Sequence, residues 1–182
     1  MKELSLNILD IAMNAVAAGA TLISILLRED AQTLEIKIAD NGCGMTPEFV
    51  ARVTDPFTTT RKTRKVGLGL PFFKLAAEQT GGGLSIESRT ADMGDHHGTT
   101  VTALFYKNHL DFTPLGDVIS TLITLIHSGS GYDLVFCHTF PGGQVSLDTR
   151  ELRQILGNDV PLSRPEILTW IRDYLCEQYQ NQ

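Results

Sequence analysis

Apolar residues in the first segment recur at helical spacing. Leu4, Ile8, Ile11 and Ala15 form one stripe over residues 2–18, and Leu6, Leu9, Met13 and Val16 cover most of the remaining surface, which predicts a helix buried almost all round. Glu3, Asn7, Asp10 and Asn14 interrupt it on a single narrow polar stripe. After Gly19 the period changes to two. Residues 21–28 and 33–39 alternate as strands, joined at Glu29-Asp30-Ala31-Gln32 in an antiparallel hairpin. Thr46 as N-cap and Pro47 at the first helical position start a short helix to about residue 53. Residues 55–66 are dense in hydroxyls and cations and read as a mobile loop. Pro71 opens a longer helix with Phe72, Leu75 and Ala76 on one face, ended by Gly81-Gly82-Gly83. Residues 84–89 and 99–106 alternate as two further strands.

Beyond residue 107 the pattern predicts a helix opened by Pro114-Leu115, carrying Leu115, Ile119, Leu122 and Ile126, and closed by Gly129. A hairpin of residues 132–140 and 144–147 turns at Pro141-Gly142-Gly143. The pairs Asp148 with Glu151 and Ser163 with Glu166 read as capping boxes that start two last helices, the second carrying Ile167, Ile171, Tyr174 and Leu175. This tail shows no catalytic constellation. Cys137 and His138 are adjacent on a strand and point to opposite faces.

Composition narrows the classes. With 182 residues, 42% hydrophobic and 20% charged, the chain is globular and long enough for one domain with a sizeable core, or one domain plus a small appendage. A net charge of −6 argues against broad nucleic-acid or membrane-surface binding, the one basic cluster being Arg61-Lys62-Thr63-Arg64-Lys65. Cys43, Cys137 and Cys176 are too few and too scattered for a disulfide framework, which fits a cytoplasmic location. Polar interruptions make the N-terminus a poor signal peptide, and no apolar run is long enough to span a bilayer.

The candidate chemistry gathers around Asp40-Asn41-Gly42-Cys43-Gly44-Met45, where a carboxylate stands at a strand end and two glycines follow. The hexapeptide reads either as a D-G turn between two elements or as an adenine pocket, in which Asp40 accepts a hydrogen bond from an exocyclic amine and a flat ring slides past Gly44. On the first helix, the polar stripe is satisfied by neighbouring side chains or water, or it serves a hydrated Mg2+ and a phosphate. Gly67 and Gly69 precede a helix N-terminus, which favours an anion, and the basic loop leading into it supplies charge. Asp92, Asp95, His96 and His97 crowd one loop, but adjacent histidines seldom face one ion and their spacing matches no ligand pattern.

In this order the motifs resemble those of the ATP-binding domain shared by DNA gyrase B, Hsp90, sensor histidine kinases and MutL, over roughly residues 1–107. The first helix is similar to the N box, with Asn14 at its Mg2+-binding asparagine and Ala18-Gly19-Ala20-Thr21 close to the MutL version. Asp40 to Gly44 resembles the G1 box, Asp55-Pro56-Phe57 with the following threonines the F box, Gly67-Leu68-Gly69-Leu70 the G2 box, and Gly98-Thr99-Thr100 the closing Gly-Thr motif. The resemblance implies an α+β fold, a Bergerat-type two-layer sandwich of helices on a mixed, largely antiparallel sheet, with residues 108–182 as a small C-terminal α/β appendage. It implies ATP and Mg2+ as ligands. The contacting residues it implies are Asn14, Asp40, Gly42, Gly44, Met45, Phe57, Thr59, Lys62, Gly67, Leu68, Gly69, Leu70, Thr99 and Thr100, with Asn14 on the metal and Asp10 as the candidate general base.

Three departures shape the expected activity. Asp10 stands where gyrase B and MutL have a glutamate, one methylene longer, that activates water. The chain begins at the N box, so the sheet is expected to be completed by the tail hairpin or by another subunit. No dimerisation helix with a phospho-acceptor histidine is recognisable, and neither is the second domain of gyrase or MutL. Two functions follow. One is transfer of the γ-phosphate of ATP to a protein partner or to water, as in the anti-sigma serine kinases or by histidine phosphotransfer. The other is a nucleotide-gated binding module whose lid at residues 58–66 orders over ATP. The partner, the acceptor residue and the oligomeric state, a homodimer included, stay open.

Overall fold

A computed structural model describes residues 3–55, 69–93, 96–129, 131–157 and 159–181. Phe57, Thr59, Lys62, Gly67 and Leu68, together with the predicted lid, lie outside the described residues.

Helix α1 (Leu4–Ala17) leads into the hairpin of β1 (Leu22–Glu29) and β2 (Thr33–Asp40). Helix α2 (Pro47–Val50), helix α3 (Gly69–Gln79), β3 (Gly83–Arg89) and β4 (Gly98–Tyr106) follow. After them come α4 (Val118–Ser128), the hairpin of β5 (Asp133–Phe140) and β6 (Gly143–Asp148), α5 (Thr149–Leu156) and α6 (Pro165–Gln180). The six strands form one sheet in the order β3-β4-β2-β1-β5-β6. Every neighbouring pair is antiparallel except β1 with β5. The tail hairpin therefore completes the sheet along the free edge of β1, which settles one of the two alternatives left open above. Strands from both sides of residue 107 share one layer.

Alternation decides which face is covered. Ile23, Ile25 and Leu27 on β1, Leu34, Ile36 and Ile38 on β2, Val101, Ala103 and Phe105 on β4, and Leu134 and Phe136 on β5 are all buried. They face α1, α3, α4 and α6, whose Ile8, Phe73, Leu122 and Ile171 are fully buried in the same core. Burying side chains of this size contributes about 1.5–3 kcal/mol each, which is why the apolar period of each strand sets its facing.

Several expectations change. Helix α1 is not buried all round, because Leu6 is 45% exposed while Asn7 of the polar stripe is fully buried. On α3 the buried residues are Leu70, Pro71, Phe73 and Ala77, whereas Phe72 and Leu75 are 42% and 49% exposed, so the inward stripe is one residue off the predicted one. Pro114-Leu115 does not open α4. Their carbonyls accept from the Leu4 and Ser5 amides at 2.9 and 2.8 Å, capping the otherwise orphaned N-terminus of α1. Helix α4 then starts at Val118, with the Asp117 carboxylate accepting from the Ser120 amide. At α6 the N-cap is Arg164 with no side-chain cap, so the Ser163 box does not form and Pro165 occupies the first turn instead.

Candidate functional site

Three elements meet at the end of β2. Helix α1 runs beneath as the spine, the 40–45 loop docks on its C-terminal end, and α3 begins beside its middle. The docking is specific. The Cys43 amide donates to the Ala18 carbonyl at 3.0 Å, and the Asn41 side chain accepts from the Thr21 and Leu22 amides at 2.8 and 2.9 Å. The Asn41 amide group in turn donates to the Thr21 hydroxyl at 2.8 Å, which fixes the loop to the start of β1.

Asp40 closes β2 on the helix-covered side. Its Oδ1 accepts from the Gly42 amide at 2.8 Å. Burial pushes the carboxyl above the ordinary carboxylate range, while the Gly42 and Thr99 amides pull the other way. Thr99 is its partner across the β2–β4 ladder, and Ser88 is the partner of Thr99 across β3–β4. Ser88, Thr99 and Asp40 therefore form a polar row on the inward face, where the preceding row is Ile86, Val101 and Ile38. Thr100 shares register with Ala39 and Glu87 and points to the opposite face. Of the two threonines singled out from sequence, only Thr99 is brought beside Asp40.

The glycines work by close approach more than by opening space. Gly44 sits at φ +70°, and a Cβ there would lie 1.9 Å from the Arg89 carbonyl oxygen. That position is filled by the end of β3, so Gly44 is required to seat the loop on the sheet. A Cβ on Gly42 would come 2.9 Å from both the Ala18 Cβ and Asp40 Oδ1. Met45 is placed by its amide, which donates to Ser88 Oγ at 2.8 Å.

Asp10 and Asn14 are one turn apart on α1, and both are half-buried. Gly69, in the first turn of α3, faces Asp10 so closely that a Cβ would stand 3.1 Å from the Asp10 Cβ. Leu70 next to it is in the core. The structure thus joins Asp10 with the G2-like glycine at a helix start, and joins Asp40, Gly42, Gly44 and Met45 with Thr99 at the strand ends.

Three residues that sequence reading did not assign belong to this frame. Ser88 bonds Met45 and Thr99, Asn41 clamps the loop, and His97 Nδ1 lies 2.6 Å from the Gly42 carbonyl oxygen. A signal existed for Ser88 alone: it is the hydroxyl on the otherwise apolar parity of β3, after Leu84 and Ile86.

Comparison with known proteins bears on the family and the fold. The family model described as "Histidine kinase-, DNA gyrase B-, and HSP90-like ATPase" matches residues 1–109. The chain is 33% identical over 85 residues to sensor histidine kinase CitA of Klebsiella pneumoniae, covering 45% of this chain and 16% of that protein. It is 31% identical over 102 residues to sporulation kinase B of Bacillus subtilis, covering 56% and 22%. The chain thus spans about a fifth or less of the length of these curated relatives. Among solved structures, the Aquifex aeolicus MutL ATPase domain complexed with ADP superposes with a TM-score of 0.56 at 13% identity, over 85% of this chain and 69% of that one. The N-terminal domain of a DNA repair protein gives 0.57 at 15% identity, over 81% and 53%. At these identities the structural likeness is one of fold, and its coverage extends past residue 109 into the tail.

Proposed function

The chain belongs to the histidine kinase-, DNA gyrase B- and HSP90-like ATPase family, a family of ATP-binding domains, and on that premise we propose that it binds ATP with Mg2+ and passes the γ-phosphate to a protein partner or to water in a regulatory role. The observation that carries this reading is the half-buried Asp40 carboxylate, fixed by the Gly42 amide and set beside Thr99 at the mouth of the sheet. A carboxylate held by two backbone amides at such a place has acceptor capacity left for an exocyclic amine.

The nucleotide-binding unit is assigned to residues 1–107, with residues 108–182 extending its sheet and available to a partner. Adenine is assigned to Asp40 and Thr99, on the floor made by the 42–45 loop. The phosphates are assigned to the start of α3 at Gly69 and Leu70, whose first-turn amides and helix dipole favour an anion. Phe57, Thr59, Lys62, Gly67 and Leu68 are assigned to the same end from the motif order alone. The Asn14 amide oxygen, one turn from the Asp10 carboxylate on α1, is the assigned Mg2+ donor, with water filling the other positions around a hard cation. Bound there, Mg2+ would neutralise charge on the phosphates.

Asp10 is the assigned general base. It takes the proton from a water or a partner's hydroxyl as the oxygen attacks the γ-phosphorus, and ADP leaves with the bonding electron pair. Its side chain is one methylene shorter than glutamate, so intrinsic hydrolysis should be slow and should rise, or give way to transfer, when the true acceptor enters. The names of the kinase relatives favour a protein acceptor. The test is incubation with γ-labelled ATP and Mg2+, with and without cell lysate, for wild type, Asp10→Asn and Asp10→Glu. Asp10→Asn should abolish phosphate release or labelling with ATP binding nearly intact, and Asp10→Glu should keep or raise hydrolysis. An unchanged rate in Asp10→Asn would rule out the base role.

A further inference from the structure

Ser88 lies at the inward end of β3 and its hydroxyl has three polar neighbours. The Met45 amide nitrogen is at 2.8 Å, the Gly98 carbonyl oxygen at 3.1 Å and Thr99 Oγ1 at 2.8 Å. A hydroxyl has one proton and two lone pairs. An amide N–H only donates and a carbonyl only accepts, so Met45 takes one lone pair and Gly98 takes the proton. The remaining lone pair is left for Thr99, whose own proton must turn toward Ser88 to use it. The alternative, in which Ser88 donates to Thr99, gives up the bond to Gly98 and makes one bond fewer in a half-buried site.

We propose that Ser88 is the specificity-determining residue of the base pocket: by drawing the Thr99 proton inward, it leaves Thr99 Oγ1 and the Asp40 carboxylate presenting acceptors only. Such a pair takes a purine with a 6-amino group, which brings two N–H donors, and disfavours a 6-oxo purine, whose carbonyl oxygen would face two acceptors with no proton between them. The proposal rests on the nucleotide reading above. It extends that reading by assigning the selectivity to a residue that touches the base only through Thr99, so Ser88 is a positioning residue.

The experiment compares ATP with inosine triphosphate by calorimetric titration for wild type, Ser88→Ala and Ser88→Thr. Wild type should prefer ATP on the order of 100-fold or more, because a site built to bond a donor strongly disfavours the analogue that lacks it. In Ser88→Ala the Thr99 proton is free to turn outward and meet a 6-oxo group, so the preference should shrink by roughly tenfold or more. Ser88→Thr keeps the hydroxyl and should keep the preference. A merely structural role would weaken both nucleotides by the same factor in Ser88→Ala, and that result would overturn the proposal. Wild-type protein that binds ATP and inosine triphosphate equally would overturn it as well, while leaving the nucleotide reading standing. Wild-type protein that binds neither would overturn the reading and the proposal together.

Discussion

Replacing Asp40 by asparagine keeps the shape of the side chain and changes one acceptor into a donor. In the native site, Oδ1 accepts from the Gly42 amide at 2.8 Å and the carboxylate also interacts with the Thr99 amide. The asparagine oxygen can retain Gly42, and its NH2 group must then face either the Thr99 amide or the incoming exocyclic amine, donor against donor. Losing one hydrogen bond to a charged acceptor costs about 1.5–3 kcal/mol. If that loss falls on the ligand, ATP affinity should drop roughly 10- to 100-fold. If it falls on Thr99, the cost appears as lost stability instead, so a thermal melt of the free protein accompanies the titration. A pH arm with adenosine, which carries no phosphate to titrate, separates charge from shape. Burial holds the Asp40 carboxyl above its ordinary value, so it protonates earlier than a surface aspartate as the pH falls, and adenosine affinity should decline with it. The asparagine variant should show no such decline. A folded Asp40→Asn protein with undiminished ATP affinity and an unaltered adenosine profile would refute the assignment.

Asn14→Ala should weaken binding of ATP with Mg2+ while leaving adenosine affinity within about twofold, as read by parallel titrations; an equal loss for both would make Asn14 structural. Gly44→Ala puts a Cβ 1.9 Å from the Arg89 carbonyl at φ +70° and should destabilise the fold by ~2–3 kcal/mol in urea denaturation, an unchanged midpoint arguing against the seating of the loop on β3. His138 is buried on β5, with Nδ1 2.9 Å from the Tyr179 hydroxyl of α6 and Nε2 3.3 Å from a Glu29 carboxylate oxygen. Burial depresses its pKa more than Glu29 raises it, so the unfolded chain binds the proton more readily than the folded one. Its contribution is intact above the ordinary histidine value and is lost as the pH falls through the depressed folded value. Denaturation midpoints should therefore fall more steeply from about pH 7 to about pH 5 in wild type than in His138→Gln, and parallel slopes would contradict this.

Local chemistry was legible in the residues themselves. The two-residue period of β1, β2 and β4 fixes which side chains go inward, and Thr46 with Pro47 starts α2 as their types require, with the Thr46 side chain accepting from the Phe49 amide. Asp40 followed by two glycines marked the end of β2 and the turn after it, because a carboxylate and a turn at that point are properties of a few adjacent residues. Only tertiary contact decided the rest. That Pro114 and Leu115 cap α1 instead of starting α4 depends on amides more than a hundred positions away in the chain. The inward stripe of α3 is chosen by Phe105, whose ring centroid lies 5.5 Å from that of Phe73, and not by the helix's own pattern, which offers two apolar faces. Thr99 and Thr100 are alike in sequence, and the pleat of β4 against β2 separates them. The parallel pairing of β5 with β1 is the largest such decision, since a hairpin's sequence sets its own turn and alternation but carries no mark of which distant edge its backbone amides and carbonyls will meet.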